Sequence, residues 1–93
     1  MDNNLSNLFR LDGKVIVITG ALGLLGRKHA EAVASCGGVP VLLDLSKNAV
    51  EILVNKIKND YQVDSIGFKV DITNESQVRL NAIAIFERYG KID

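Results

Sequence analysis

The sequence predicts a three-layer α/β fold, a doubly wound parallel sheet with helices on both faces. Three observations predict it. Residues 15–18, Val-Ile-Val-Ile, are an unbroken β-branched run, the signature of a central parallel strand covered on both sides. Glycines follow at Gly20, Gly23 and Gly26, and a helix-compatible stretch begins there. Short apolar runs then alternate with longer amphipathic ones as β-α-β-α-β-α, which requires right-handed crossovers between parallel strands.

Residues 1–12 read as a polar lead-in anchored by Leu5, Leu8, Phe9 and Leu11, and residues 13–93 as one unit. Asp12-Gly13 is a turn signal before the first strand. The first helix runs from Leu24 or Leu25 to Cys36. It carries Leu25, His29, Ala32, Val33 and Cys36 at helical spacing, so that stripe is expected to pack, with His29 partly buried among it. Gly37-Gly38 ends this helix. The second strand, residues 39–44, ends in the carboxylate of Asp44. Ser46 can cap a second helix to about Asp60, with Val50, Leu53, Val54, Ile57 and Tyr61 as its apolar face. The third strand spans about 65–70. Asn74 and Gln77 resemble a capping box for a third helix that reaches about Tyr89.

The expected strand order is 3-2-1, with the beginning of a fourth strand at Lys91-Ile92-Asp93 beside strand one. The third helix falls on the sheet face opposite the first two. Val78, Ala82, Ile85, Phe86 and Tyr89 form its main stripe, and Leu80, Ile83 and Ala84 lie off it. A helix apolar on two sides is normally covered on two sides. The other reading is a self-associating surface, and a homo-oligomer is expected. Strand one would have an unpaired outer edge with only Lys14 to guard it, a template for pairing with another chain.

Composition narrows the function. An apolar fraction of 47% with 24% charged residues is that of a folded domain. The formal net charge is zero with no basic stripe, so nothing suggests nucleic acid or an anionic membrane as partner. The single cysteine, Cys36, excludes an intrachain disulfide and fits a reducing cytoplasm. Met1-Asp-Asn-Asn is no secretory signal, and no apolar run reaches transmembrane length. No second ligand stands at metal-binding spacing from His29, so no metal site is expected.

The glycine stretch carries the chemistry. A strand, a glycine turn and a helix start together make a phosphate site, because the helix offers unpaired N–H groups and a partial positive charge. The spacing Gly-x-x-Gly-x-x-Gly is neither the usual dinucleotide fingerprint nor a Walker A loop, since Arg27-Lys28 follows Gly26. A ligand-free βα turn is the alternative. Asp44 lies 24 positions after Gly20, near the distance at which an acidic residue meets the adenosine ribose. It would accept from both ribose hydroxyls and repel a 2′-phosphate. Its alternative role is a turn carboxylate at a strand end.

Gly13-Lys14-Val15, Thr19-Gly20-x-x-Gly23-x-x-Gly26, Asp44, Val70-Asp71-Ile72-Thr73 and Tyr89-Gly90-Lys91-Ile92-Asp93 occur in the order found in the short-chain dehydrogenases/reductases, and over residues 13–93 the chain resembles that family. The resemblance implies a Rossmann-like fold and NAD as cofactor. Most single-domain members carry Thr-Gly-x-x-x-Gly-x-Gly. The spacing here is more usual in extended sugar-nucleotide epimerases and dehydratases, whereas the Tyr-Gly-Lys-Ile-Asp ending is of the single-domain kind. Ala-Leu-Gly-Leu-Leu-Gly-Arg with Asp-Ile-Thr-Asn also resembles a subgroup from flagellin-modification and surface-sugar gene clusters.

By that resemblance, Gly20, Gly23 and Gly26 shape the phosphate turn. Leu22, Leu24 and Leu25 line it through N–H groups and packing. Asp44 holds the ribose with Leu45 beside the adenine, and Asp71 and Ile72 contact the adenine ring. Asp71 otherwise reads as a charge near a helix start. The family's catalytic tyrosine, lysine and serine come from a later segment, so no catalytic residue is assigned: neither Tyr61 nor Tyr89 is followed by x-x-x-Lys. The expected function is the dinucleotide-binding portion of an NAD-dependent oxidoreductase acting on a small hydroxyl or carbonyl compound, such as a sugar. The alternatives are a non-catalytic dinucleotide-binding module and an extended-branch epimerase or dehydratase.

Overall fold

The computed structural model describes residues 10–93, so the expected anchors Leu5, Leu8 and Phe9 lie outside the described residues. Three strands alternate with three helices: β1 Val15–Thr19, α1 Leu24–Ser35, β2 Val39–Asp44, α2 Lys47–Tyr61, β3 Ile66–Lys69 and α3 Glu75–Tyr89. The strands form one parallel sheet in the order β1-β2-β3, with Val15 opposite Val39 and Val41 opposite Ile66. This is the predicted 3-2-1 half of a doubly wound sheet.

Alternation along the strands divides the core into two layers. Ile18 and Leu42 pack with Ala30 and Ala34 of α1 and with Val50, Leu53, Val54 and Ile57 of α2. Val15, Val41 and Leu43 face the opposite way and pack with Val70, just past β3, and with Ile85 of α3. The crossover rule placed α3 on the second face, and it is there.

Two helices are rotated relative to the sequence expectation. On α1 the buried residues are Ala30 and Ala34, while Leu25 and His29 are exposed. Of the expected stripe, Val33 still packs against the core, while Leu25, His29 and Ala32 turn to the surface. The helix descends onto the sheet through small residues, and its larger side chains fall over the outer edge of β1. There His29, Ala32 and Val33 line a groove with residues 16–19. On α3 the buried residues are Asn81 and Ile85, while Val78 and Phe86 of the expected stripe are 41% and 53% exposed. The Asn81 Nδ2 group is buried without an acceptor among the described residues.

The expected caps form. Ser46 Oγ accepts the Ala49 N–H at 3.4 Å, and Asn74 Oδ1 accepts the Gln77 N–H at 3.1 Å. The box at Asn74 is not reciprocal, because Gln77 Oε1 reaches past it to accept the Asp71 N–H at 2.9 Å. The outer edge of β1 is not bare at its start. The Asp93 N–H donates to the Val15 carbonyl at 2.8 Å, and the Val15 N–H donates to Asp93 Oδ2 at 2.7 Å. Asp93 thus stands where the fourth strand was expected to begin. Its side chain takes a place that a neighbouring carbonyl would fill.

Candidate functional site

The C-terminal ends of β1, β2 and β3 and the loops that leave them form the candidate site. The turn after β1 is built by three hydrogen bonds. Ala21 N–H donates to the Leu43 carbonyl at 3.2 Å, Leu22 N–H to Asp44 Oδ2 at 2.9 Å, and Gly23 N–H to the Gly20 carbonyl at 3.0 Å. Two of the glycines are required for different reasons. Gly20 has φ +61°, a left-handed conformation that costs other residues strain. At Gly26 a Cβ would stand 2.2 Å from the Gly20 carbonyl oxygen, so only glycine lets α1 start this close to the turn.

The N-terminus of α1 is open. Gly23 caps it without a side chain, and no acidic residue lies in its first turn. Arg27 N–H makes the first helical bond, to the Gly23 carbonyl at 2.9 Å. The N–H groups of Leu24, Leu25 and Gly26 therefore have no acceptor within the helix, and the helix dipole adds partial positive charge there. The Leu24 and Leu25 side chains are exposed, at 78% and 67%. Leu22 differs from both: its side chain packs against the core and its N–H is already held by Asp44. It contributes packing to the turn, not a free donor.

A cleft of about 250 Å³ opens beside this turn, lined by Gly20, Asp44, Leu45, Asp71, Ile72 and Thr73 over Leu43 and Val70. The strand ends thus bring Gly20, Asp44, Leu45, Asp71 and Ile72 together, although they are spread over 52 positions of sequence. The two carboxylates are each pinned. Asp44 Oδ1 accepts the Leu45 N–H at 2.7 Å while Oδ2 holds Leu22. Asp71 Oδ1 accepts both the Thr73 N–H at 2.9 Å and the Thr73 hydroxyl at 2.6 Å. The Thr73 hydroxyl, with its N–H, holds the Asp71 carboxyl below the usual carboxylate range. Asp44 thus fills the turn role that was its alternative, and Asp71 closes a turn with Thr73 rather than standing only as a charge near the start of α3. Each oxygen can accept more than one hydrogen bond, so acceptor capacity remains for a ligand. Sequence reasoning gave Thr73 only as part of a motif and Gln77 only as a capping-box partner; in the structure they fix Asp71 through its side chain and its backbone. The Asp-x-Thr spacing that permits such a turn was the available signal.

An open helix N-terminus, a glycine turn and two aligned carboxylates suit a nucleotide diphosphate. Residues 14–93 match the family model described as short chain dehydrogenase. The chain belongs to the short-chain dehydrogenase family. Post-translational flagellin modification protein A of Campylobacter coli is 28% identical over 83 residues, covering 89% of this chain and 32% of that protein. D-threitol dehydrogenase of Mycolicibacterium smegmatis is 34% identical over 85 residues, covering 91% and 32%. Among solved structures, a short-chain dehydrogenase/reductase from Burkholderia phymatum in complex with NAD superposes with a TM-score of 0.82 at 39% identity, covering 90% of this chain and 30% of that one. An NADPH-dependent 3-quinuclidinone reductase from Rhodotorula rubra gives 0.87 at 28% identity, covering 100% and 35%. The chain spans about a third of the length of the relatives it matches. Among the described residues no helix is long and apolar enough to cross a membrane.

Proposed function

We propose that this chain is the adenosine- and pyrophosphate-holding half of the cofactor site of an NAD-dependent short-chain oxidoreductase. One observation carries the reading: Asp44, Asp71 and Gly20 line a single cleft, and Gly20 opens the turn that leads to the uncapped start of α1. The pyrophosphate lies at Gly20, Gly23 and Gly26 against the N–H groups of Leu24 and Leu25. Asp44 accepts from the ribose, with Leu45 beside the adenine. Asp71 accepts from the exocyclic amine, and Ile72, 58% exposed, covers the ring. NAD is favoured over NADP because Asp44 places negative charge where a 2′-phosphate would stand. Leu45 beside it brings no cation to offset that charge.

The substrate is a small hydroxyl or carbonyl compound, of sugar or polyol type. Flagellin modification protein A and D-threitol dehydrogenase among the relatives support this class. The enzyme works in the cytoplasm as a homo-oligomer, and its acid/base residues lie outside this chain. Neither nucleic acid nor membrane is a partner. The test is steady-state kinetics of the full-length protein with each cofactor over a panel of polyols and ketoses. A kcat/KM with NADP equal to or above that with NAD would refute the cofactor assignment. Cofactor binding with no turnover of any hydroxyl or carbonyl compound would favour a non-catalytic module.

A further inference from the structure

We propose that Asp44 is also the positioning residue of the phosphate turn, so that ribose recognition and pyrophosphate binding are coupled through one carboxylate. The inference rests on the dinucleotide reading above and adds a second task for this side chain. Of the three hydrogen bonds that shape the turn, those of Ala21 and Gly23 run to backbone carbonyls and persist whatever the side chains are. Only the Leu22 N–H depends on a side chain, and that side chain is Asp44.

The geometry leaves this bond without a substitute. Gly23, the next residue, caps α1 with no side-chain acceptor. The orientation of the first N–H groups of α1 therefore follows from where residues 20–23 are held. Asp44 is itself immobilised, since its second oxygen accepts the Leu45 N–H. Rotating the carboxylate breaks one of the two bonds. The end of β2 and the turn after β1 thus form one unit, closed through a charged acceptor, and hydrogen bonds to charged acceptors are among the stronger ones. The cofactor's diphosphate meets a turn whose shape was set from the ribose side. Removing the carboxylate to admit a 2′-phosphate would loosen the diphosphate site in the same step.

The test uses inorganic pyrophosphate, a probe with no ribose, on the full-length protein. If Asp44 acts on the ribose alone, Asp44→Ala removes a negative charge near an anion site, and pyrophosphate binds equally or more tightly. If it positions the turn, Asp44→Ala weakens pyrophosphate about three- to tenfold, the worth of one hydrogen bond. Asp44→Asn, which keeps one carbonyl acceptor for the Leu22 N–H, recovers much of that loss. Amide exchange gives a readout that needs no ligand: the Leu22 amide exchanges faster in Asp44→Ala, while Ala21 keeps its protection. Unchanged or tighter pyrophosphate binding, with NAD binding by the wild type intact, overturns the coupling and leaves the cofactor site standing. A wild type that binds neither NAD nor pyrophosphate overturns the cofactor site and the coupling with it.

Discussion

The Tyr89 hydroxyl donates to Asp64 Oδ2 at 2.8 Å, and so fastens the last residue of α3 to the loop that enters β3. Arg88 donates to the same oxygen at 3.2 Å and lies over the Tyr89 ring, 5.5 Å from its centre. Burial pushes Asp64 up, but the bonds from Tyr89, Arg88 and the Ser65 backbone outweigh it, and the carboxyl stays below its usual range. α3 is the only helix on its face of the sheet among the described residues, so this end fixture has weight beyond one contact. Tyr89→Phe should destabilise the protein by about 1 kcal/mol, read as a lowered urea midpoint at unchanged slope.

That cluster and the Asp93 clamp also set an acid limit. The Val15 N–H and then Lys91 hold the Asp93 carboxyl below its usual range. A carboxylate with a depressed folded-state pKa stabilises the fold above its unfolded pKa of about 4, and loses that contribution as pH falls through the folded value. The stability these two carboxylates contribute at neutral pH should therefore be lost on acidification below about pH 4. Asp93→Asn should flatten part of that decline. An identical acid profile in Asp93→Asn would show that the clamp contributes nothing.

Gly20 and Gly26 should respond differently to alanine. Around Gly20 a Cβ meets nothing within 4 Å, so Gly20→Ala carries only left-handed strain, about 1–2 kcal/mol. At Gly26 the Cβ strikes the Gly20 carbonyl oxygen at 2.2 Å, and α1 must move away from the turn. Gly26→Ala should lose NAD binding more completely than Gly20→Ala does. Calorimetric titration of both variants decides the order.

Asn81 offers a stabilising substitution. Its Nδ2 is buried without an acceptor among the described residues, and a lone buried donor costs about 1–3 kcal/mol. Asn81→Leu keeps the branched shape and removes the donor, and its added bulk enters the neighbouring cleft lined by Phe68, Val70 and Ala84, so it should raise stability by about 1 kcal/mol. A fall in thermal midpoint would show that something pairs with Asn81 in the full-length protein.

Thr73 should tune the proposed adenine site. Its hydroxyl lowers the Asp71 pKa, so Thr73→Ala raises it, and the carboxylate protonates at a higher pH. The KM for NAD in the variant should climb earlier as pH falls, while kcat near neutrality is little changed. Thr73→Ser should restore the wild-type profile. If the KM profiles of all three coincide, Asp71 does not meet the adenine.

Much of this architecture was legible in the sequence because it rests on local chemistry. The β-branched runs, Gly37 after α1, and the caps Ser46 and Asn74 mark the elements to within a residue or two. The convergence of Asp44 and Asp71 followed from parallel strands ending on one side of the sheet. What stayed hidden depends on how elements approach each other. Helical spacing located an apolar stripe on α1 at Leu25 and His29, but the close approach at Gly26 turned Ala30 and Ala34 inward instead. On α3 a polar residue, Asn81, occupies the inward position, which no apolar periodicity reveals. The bond from Leu22 to Asp44 was equally invisible, because a backbone donor leaves no mark in a sequence.

The link between Val15 and Asp93 joins residues 78 apart, and it bears on how the chain is made. During synthesis at about 5–20 residues per second, the first strand emerges on the order of 4–16 s before its outer neighbour. Through that interval β2, α1 and α2 can assemble around β1 from nearby contacts, which form fastest. Among the described residues, no other segment pairs with the outer edge of β1 in that interval. The nascent protein therefore has a built-in waiting period at the outer side of its first strand. Slowed translation or scarce chaperone capacity should act on this seam first.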